Sequence, residues 1–257
     1  MAHRPQKKWG QNFLRNRGAA DTIVAALAPD PQDLILEIGP GEGALTEKLA
    51  ELPNPLIAWE IDPSLVPRLR ERFDHGRVEI AETDATDAEL PAVPYRAIGN
   101  LPYNVATPIV RRVVASEHWR RAVFMFQREV AEKLTAAPGD DEYGYLTLSV
   151  ALRAVARILI TLAPGSFHPR PKVHSAVVVL DPISRDLLTS IDEVESLVSA
   201  SFRMRRKTLV NNLLQWNDAG RDRITAAIEG IGLPADIRAE RLGLQEFDRL
   251  ALALRST

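Results

Sequence analysis

Hydrophobic and polar positions along the 257 residues fall into two regimes. Over most of the chain, short apolar runs alternate with stretches whose apolar residues recur at helical spacing. "DLILEIG" (Asp33–Gly39), "PLIAWEID" (Pro55–Asp62), "VEIAETDA" (Val78–Ala85), "YRAIGN" (Tyr95–Asn100) and "RAVFMFQ" (Arg121–Gln127) read as strands. "ALTEKLAEL", "SLVPRLRERF", "TPIVRRVVASE" and "REVAEKLTAA" lie between or after them and read as helices. This alternation predicts parallel βαβ units in a doubly wound, Rossmann-like sheet. The near-continuous apolar character of the strands predicts burial on both faces. "ARILITLAP" (Ala156–Pro164) and "HSAVVVLDP" (His174–Pro182) then follow with only a Pro-rich loop between them. No crossover helix fits there, so the two are expected to pair antiparallel at a sheet edge.

After Pro182 the strand signal stops. "DEVESLVSASF", "RKTLVNNLLQW", "DRITAAIEGI" and "QEFDRLALAL" all carry helical spacing. The α/β sheet is therefore assigned to residues 1–182 and a small all-helical domain to 183–257. "APGDDEYG" (Ala137–Gly144) reads as a surface loop, and no internal repeat is visible.

Composition narrows the function classes. The chain is 46% hydrophobic and 26% charged, ordinary for a globular protein. No apolar stretch approaches the roughly 18 residues of a membrane span. Met1 to Gly10 is polar and basic and does not read as a secretion signal, so a cytoplasmic protein that engages no membrane is expected. Cysteine is absent, which removes disulfides, thiolate nucleophiles and Cys-based zinc sites. The five histidines show no metal-ligand spacing, and no metal is expected. The net charge of -2 gives no sign of a nucleic-acid partner. It conceals two basic blocks, one of His3, Arg4, Lys7, Lys8, Arg15 and Arg17, the other of Arg203, Arg205, Arg206 and Lys207. Each alone is ordinarily a solvated face.

Candidate chemistry gathers at the strand ends. Gly39, Gly41 and Gly43 lie between a strand and a helix, where glycine allows a tight turn and a close approach of ligand to backbone. The spacing is G-x-G-x-G and not the G-x-G-x-x-G of dinucleotide sites, so alone it is a weak sign. Glu60 ends the next strand and is placed to accept hydrogen bonds from ribose hydroxyls. Asp84 ends the third and is placed to accept from an adenine amino group. Two acids and a glycine turn at three successive strand ends favour a nucleoside-type ligand over a chance arrangement.

The fourth strand ends in Asn100-Leu101-Pro102-Tyr103. Hydride transfer has no evident use for these residues, whereas methyl transfer to an exocyclic amine does. The lone pair of adenine N6 is delocalised into the ring. Its two N–H groups can be gripped by the Asn100 side-chain oxygen and the Pro102 carbonyl, which favours a pyramidal nitrogen aimed at a sulfonium methyl. Tyr103 can stack on the base, worth ~1–3 kcal/mol against the few kcal/mol that extruding a base costs. No general base, metal or covalent nucleophile is needed, so positioning and electrostatics would carry the rate. A proline turn with a packed tyrosine is the competing, purely structural explanation.

Taken together, "KKWGQNFLRN", "LEIGPGEGALT", "WEIDPSL", "ETDAT", "GNLPYNVATPI", "FMFQREVAEKL", "FHPRPKVHSAVV" and "FRMRRKTLVNNL" resemble the ribosomal RNA adenine N6-dimethyltransferases of the KsgA/RsmA type, which act on small-subunit RNA. The resemblance covers nearly the whole chain. It implies the class I methyltransferase version of the Rossmann-like sheet, S-adenosylmethionine as cofactor, immature small ribosomal subunits as partner, and a monomer. Cofactor contacts are implied at Asn12, Leu14, Gly39, Glu60, Asp84 and Asn100, with Gly41, Ile61 and Ala85 beside them. The resemblance implies Asn100, Pro102, Tyr103 and a second stacking ring, Phe167, as catalytic residues. "QNFL" is expected to lie across the methyl donor as a lid. Arg170 and Lys172 of "PRPK", with the block at Arg203, Arg205, Arg206 and Lys207 at a helix start, are then expected to meet RNA phosphate. Thr83 stands where the family usually has Gly, and Trp9 where it more often has Phe. Two other readings stay open: an adenine methyltransferase for large-subunit RNA or DNA, and an assembly factor that binds RNA without turnover.

Overall fold

A computed structural model describes residues 11–102, 105–216 and 219–255. In chain order the elements are β1 (Phe13–Leu14), α1 (Arg17–Leu27), β2 (Leu34–Ile38), α2 (Thr46–Leu49), β3 (Leu56–Glu60), α3 (Val66–Phe73), β4 (Val78–Glu82) and β5 (Tyr95–Asn100). There follow α4 (Ala106–Ala115), β6 (Trp119–Gln127), α5 (Arg128–Thr135), α6 (Tyr145–Ala151), β7 (Ala154–Leu162), β8 (Phe167–His168) and β9 (Ser175–Pro182). Helices α7 (Ile191–Ser201), α8 (Leu209–Leu213), α9 (Arg221–Gly230) and α10 (Leu244–Leu254) complete the described chain.

Seven strands form one sheet in the order β4-β3-β2-β5-β6-β9-β7. The pairs from β4 through β6 are parallel, and β9 runs antiparallel to β6. The expected mostly parallel sheet with an antiparallel edge is what forms. Central strands are buried on both faces, as their unbroken apolar runs require: Ile35, Leu36, Ile98, Val123, Phe124, Met125 and Val177 to Leu180 are fully buried. Helix α1 starts where it does because Asn16 Oδ1 accepts the Ala19 amide at 3.0 Å.

The chain leaves β2 toward β3 and β4, then returns to place β5 on the other side of β2. That reversal makes the β2–β5 boundary the switch point, where ligands of open α/β sheets bind beyond the carboxyl ends of the strands. The two strands meet closely. A Cβ on Gly99 would lie 2.2 Å from the Ile38 carbonyl oxygen. A sequence search for turn glycines passes over this one, because it sits inside a strand.

The chain divides into two compact units. One holds the described residues up to Ala131 with Val155–Pro182, and the other holds Glu132–Ala154 with the described residues from Ile183 onward. The single break expected at Pro182 is therefore replaced by three crossings. Packing explains it. Tyr143, Leu148 and Leu152 are buried in the helical core with Val194, Leu197, Leu209 and Phe247. Glu195 of α7 accepts from Ser149 Oγ and Arg153, both at 2.7 Å, and Tyr143 donates to the Leu242 carbonyl at 2.8 Å. Helix α6, only seven residues long, shows too little helical spacing to be read without that core.

Gly99→Ala is expected to lower folding stability by about 2 kcal/mol or more, since neither strand can retreat without tearing the centre of the sheet. Urea melts of the variant and the parent would measure it, and superimposable curves would refute the argument.

Candidate active site

A cleft enclosing about 670 Å³, part of it open to solvent, lies at the switch point. Its floor is the carboxyl ends of β2, β3 and β5. The ladders place Ile38 level with both Trp59 and Gly99, so the ends of the three strands line up. Asn12, Leu14, Gly39, Gly41, Glu60, Ile61, Asn100 and Pro102, all named from the sequence, line it together.

Glu60 is only 5% exposed. Its two carboxyl oxygens accept the Asp62 and Gly41 amides, each at 2.9 Å. Burial pushes its pKa up, and these backbone N–H groups pull it partly back. A carboxylate has about four acceptor positions, so the held group keeps some for a ligand's hydroxyls. Gly41 has φ 60°, and a Cβ there would come within 2.8 Å of the Phe13 ring. The close approach that this glycine permits is thus made by the protein's own β1.

That segment closes one side of the cleft. β1 pairs antiparallel with β8, Phe13 opposite His168 and Leu14 opposite Phe167. Gln11 Nε2 donates to Asp62 Oδ2 at 2.6 Å, and Arg15 pairs with Glu42 of the glycine loop. Neither short strand has a pattern of its own; each exists because the other does.

Asn100 Nδ2 donates to the Asn12 carbonyl at 2.7 Å. A carbonyl can only accept, so the bond fixes which end of the amide faces Asn12. Oδ1 is turned the other way, an acceptor already oriented. The Pro102 carbonyl accepts the Val105 amide at 3.1 Å and retains one further acceptor position.

Other expected residues stand elsewhere. Asp84 is exposed and does not line the cleft. Its Oδ1 accepts both the amide and the hydroxyl of Thr86, at 2.8 and 2.6 Å, capping its own turn. Ala85, next to it, is also outside the lining. The turn is tied to the site indirectly: the Thr83 amide donates to the Glu60 carbonyl at 2.9 Å, and Arg112 of α4 donates to the Ala85 carbonyl at 3.0 Å. Phe167 is 4% exposed and packs in the core of the sheet unit, opposite Leu14 of the cleft lining but not itself part of that lining. Arg170 and Lys172 are exposed in the loop before β9. The block from Arg203 to Lys207 does not begin a helix, as expected, but fills the turn before α8, whose first residue is Leu209. The reason is local: the Thr208 side chain caps α8, accepting the Asn211 amide. Tyr103 and the N-terminal residues through Gly10, Trp9 and the cations His3, Arg4, Lys7 and Lys8 among them, lie outside the described residues.

Glu37 is the residue that sequence reading passed over. It is 1% exposed, lines the cleft, and accepts the Thr46 hydroxyl at 2.7 Å. Its signal was present: an acid inside the otherwise apolar run "LILEI". Burial, aided by the negative charge of Glu60, raises its pKa from 4.5 to about 8 against the pull of Thr46. Among the described residues, the cleft lining thus has three carboxyls, at Glu37, Glu42 and Glu60, and no Lys, Arg or His.

Strand order, switch-point cleft and acceptor-rich fourth strand end define an S-adenosylmethionine-dependent methyltransferase of the Rossmann-like kind. The family model described as "Ribosomal RNA adenine dimethylase" matches residues 2–250. The chain belongs to that family. It is 40% identical to the ribosomal RNA small subunit methyltransferase A of Methylococcus capsulatus, with 99% of each chain covered. A crystal structure of a dimethyladenosine transferase from Plasmodium falciparum superposes with TM-score 0.81 at 28% identity, covering 93% of this chain and 95% of that one. The structure of the 23S rRNA methyltransferase ErmE gives 0.76 at 29% identity, over 95% and 99%. No helix of the described residues is long and apolar enough to cross a membrane.

Glu37 makes stability depend on pH. Below pH 4.5 both folded and unfolded chains hold its proton; above it only the folded chain does, until about pH 8. Its contribution is therefore full below pH 4.5 and falls away as pH rises to about 8. Glu37→Gln removes that loss, so the variant should gain on the parent across this window, on the order of a few kcal/mol by its upper end. Thermal melts over a pH series give the difference directly, and a constant offset would mean that the carboxyl ionises normally.

Proposed function

We propose that the chain transfers methyl groups from S-adenosylmethionine to N6 of adenines, two adjacent ones dimethylated, in small-subunit ribosomal RNA of immature subunits. The observation that carries the cofactor is the cleft lining, which among the described residues has three carboxyls and no cation. Glu37 holds its proton until about pH 8, so the other carboxyls of the lining are the ones that disfavour the phosphates of a dinucleotide and favour a ligand bearing an ammonium and a sulfonium. S-adenosylmethionine supplies an electrophilic methyl on that sulfonium. The protein's part is then to hold, not to ionise. Glu60 offers acceptors to the ribose, fixed by the Gly41 and Asp62 amides. Asn100 Oδ1 and the Pro102 carbonyl accept the two N6 protons, which turns the nitrogen lone pair outward. With the donor bound, the new N–C bond would form as the C–S bond broke with its electrons left on sulfur, and the extra N6 proton would pass to solvent. Nothing here requires a metal or a covalent intermediate.

The small-subunit target is supported by the relative in Methylococcus capsulatus, similar along its whole length and named for that RNA. The likeness to ErmE keeps a large-subunit target as the second reading. Labelled methyl donor offered to immature small subunits, large-subunit RNA and DNA separates them. Label on small-subunit adenines supports the proposal; label on large-subunit RNA alone overturns it; no label with retained binding supports an assembly factor.

Asn100→Ala should lower the methylation rate about 10²–10³-fold, the usual loss when one preorganised group is removed. Single-turnover assays on the folded variant check this, and a normal rate would strip Asn100 of its role.

A further inference from the structure

The turn between α7 and α8 carries Arg203, Arg205, Arg206 and Lys207, all exposed. Other arginines of the same unit are paired, Arg153 with Glu195 at 2.7 Å and Arg255 with Glu193 at 2.6 Å. Among the described residues none of these four cations has a carboxylate partner; Arg205 donates to the Asp141 backbone carbonyl. Four like charges in five positions repel one another and favour an open, spread chain. The turn is nonetheless closed, the Lys207 amide donating to the Met204 carbonyl at 2.9 Å.

Asn212 holds it from inside. The side chain is 2% exposed. Its Oδ1 accepts the Met204 amide at 2.9 Å, and its Nδ2 faces the carbonyls of Met204, Thr208 and Lys207 at 3.2, 3.3 and 3.5 Å. Only a neutral amide of this length both accepts and donates here. Aspartate could not donate to the carbonyls, and a cation would add to the repulsion.

We propose that Asn212 is a positioning residue for RNA binding: it holds the four cations in one fixed turn so that they meet a phosphate backbone together. This rests on the reading of the chain as an RNA methyltransferase whose basic turn contacts RNA. A turn ordered beforehand does not lose that freedom on binding, so it binds more tightly than the same charges on a loose chain.

The test is a double-mutant cycle on the full chain, with immature small ribosomal subunits as the probe over a range of salt. Its members are the parent, Asn212→Ala, Arg205→Ala with Arg206→Ala, and all three changes together. Asn212→Leu, which keeps the buried volume, serves if the alanine variant melts near the assay temperature. Circular dichroism confirms that each is folded, and calorimetry with S-adenosylmethionine should show the parent's affinity throughout. Asn212→Ala is expected to weaken subunit binding about three- to tenfold while keeping all four cations. The arginine pair should flatten the slope of log affinity against log salt by roughly one to two units. The triple variant should bind no more weakly than the arginine pair, because Asn212 acts through those side chains. Exchange of the Met204 amide should quicken in both Asn212 variants. If the arginine pair weakens binding but both Asn212 variants bind as the parent does, or if the effects simply add, Asn212 only packs the helical unit and the proposal falls. If the arginine pair keeps the full salt slope, the turn does not touch RNA, and the reading beneath the proposal falls with it.

Discussion

The contact between β2 and β5 is the constraint on which the site depends. Gly99 lets the two strands meet with no side chain between its backbone and the Ile38 carbonyl. Their carboxyl ends then project together, Gly39 from one and Asn100 from the other, with the end of β3 and Glu60 one strand away. A cleft at a switch point is a gap in the helical cover, and its shape is set by strands buried on both sides. Loop positions can drift by an ångström at little cost; these strand ends cannot. For a reaction whose rate comes from alignment, that rigidity is a large part of the catalytic apparatus.

Polar groups of the cleft are engaged before any ligand arrives. Glu60 is held by two backbone amides, Asn100 by the Asn12 carbonyl, and Glu37 by the Thr46 hydroxyl. Each bond uses part of a group's capacity and orients the rest. A buried carboxyl with no cation nearby is costly, and two in one cleft cost more, which is visible in the raised pKa of Glu37. A cationic ligand relieves that cost and a neutral one does so less.

Charge is segregated in the chain by function and not by sequence average. The net value of -2 hides an acidic cleft in one unit and, in the other, a basic turn whose cations have no carboxylate partner among the described residues. The turn shows how a polar side chain can serve a charged surface without touching a ligand. Asn212 sits in an apolar helix pattern, where it reads as a defect, and its reason is visible only in the backbone it holds.

Much of this was legible in the residues. The strand–helix alternation gave the sheet because apolar periodicity reflects burial, which is what orders the layers. Glu60 and Asn100 stood out because an acid or an amide at the end of an apolar strand adds little to packing, and the glycine turn because glycine there permits a tight turn. The sequence also contained the signals for Glu37 and Asn212, a polar residue in an apolar run each time, but not their partners. What only the tertiary structure decided were the contacts between segments far apart in the chain. β1 and β8 become strands by pairing with each other, Gly41 is glycine because Phe13 lies against it, and Asp84 caps its own turn outside the cleft. Residues Glu132–Ala154 join the helical unit although they interrupt the sheet's sequence. Local patterns report how a residue meets its neighbours in the chain. They carry no record of which distant surface will cover it, because that choice is made by the packing of the whole unit.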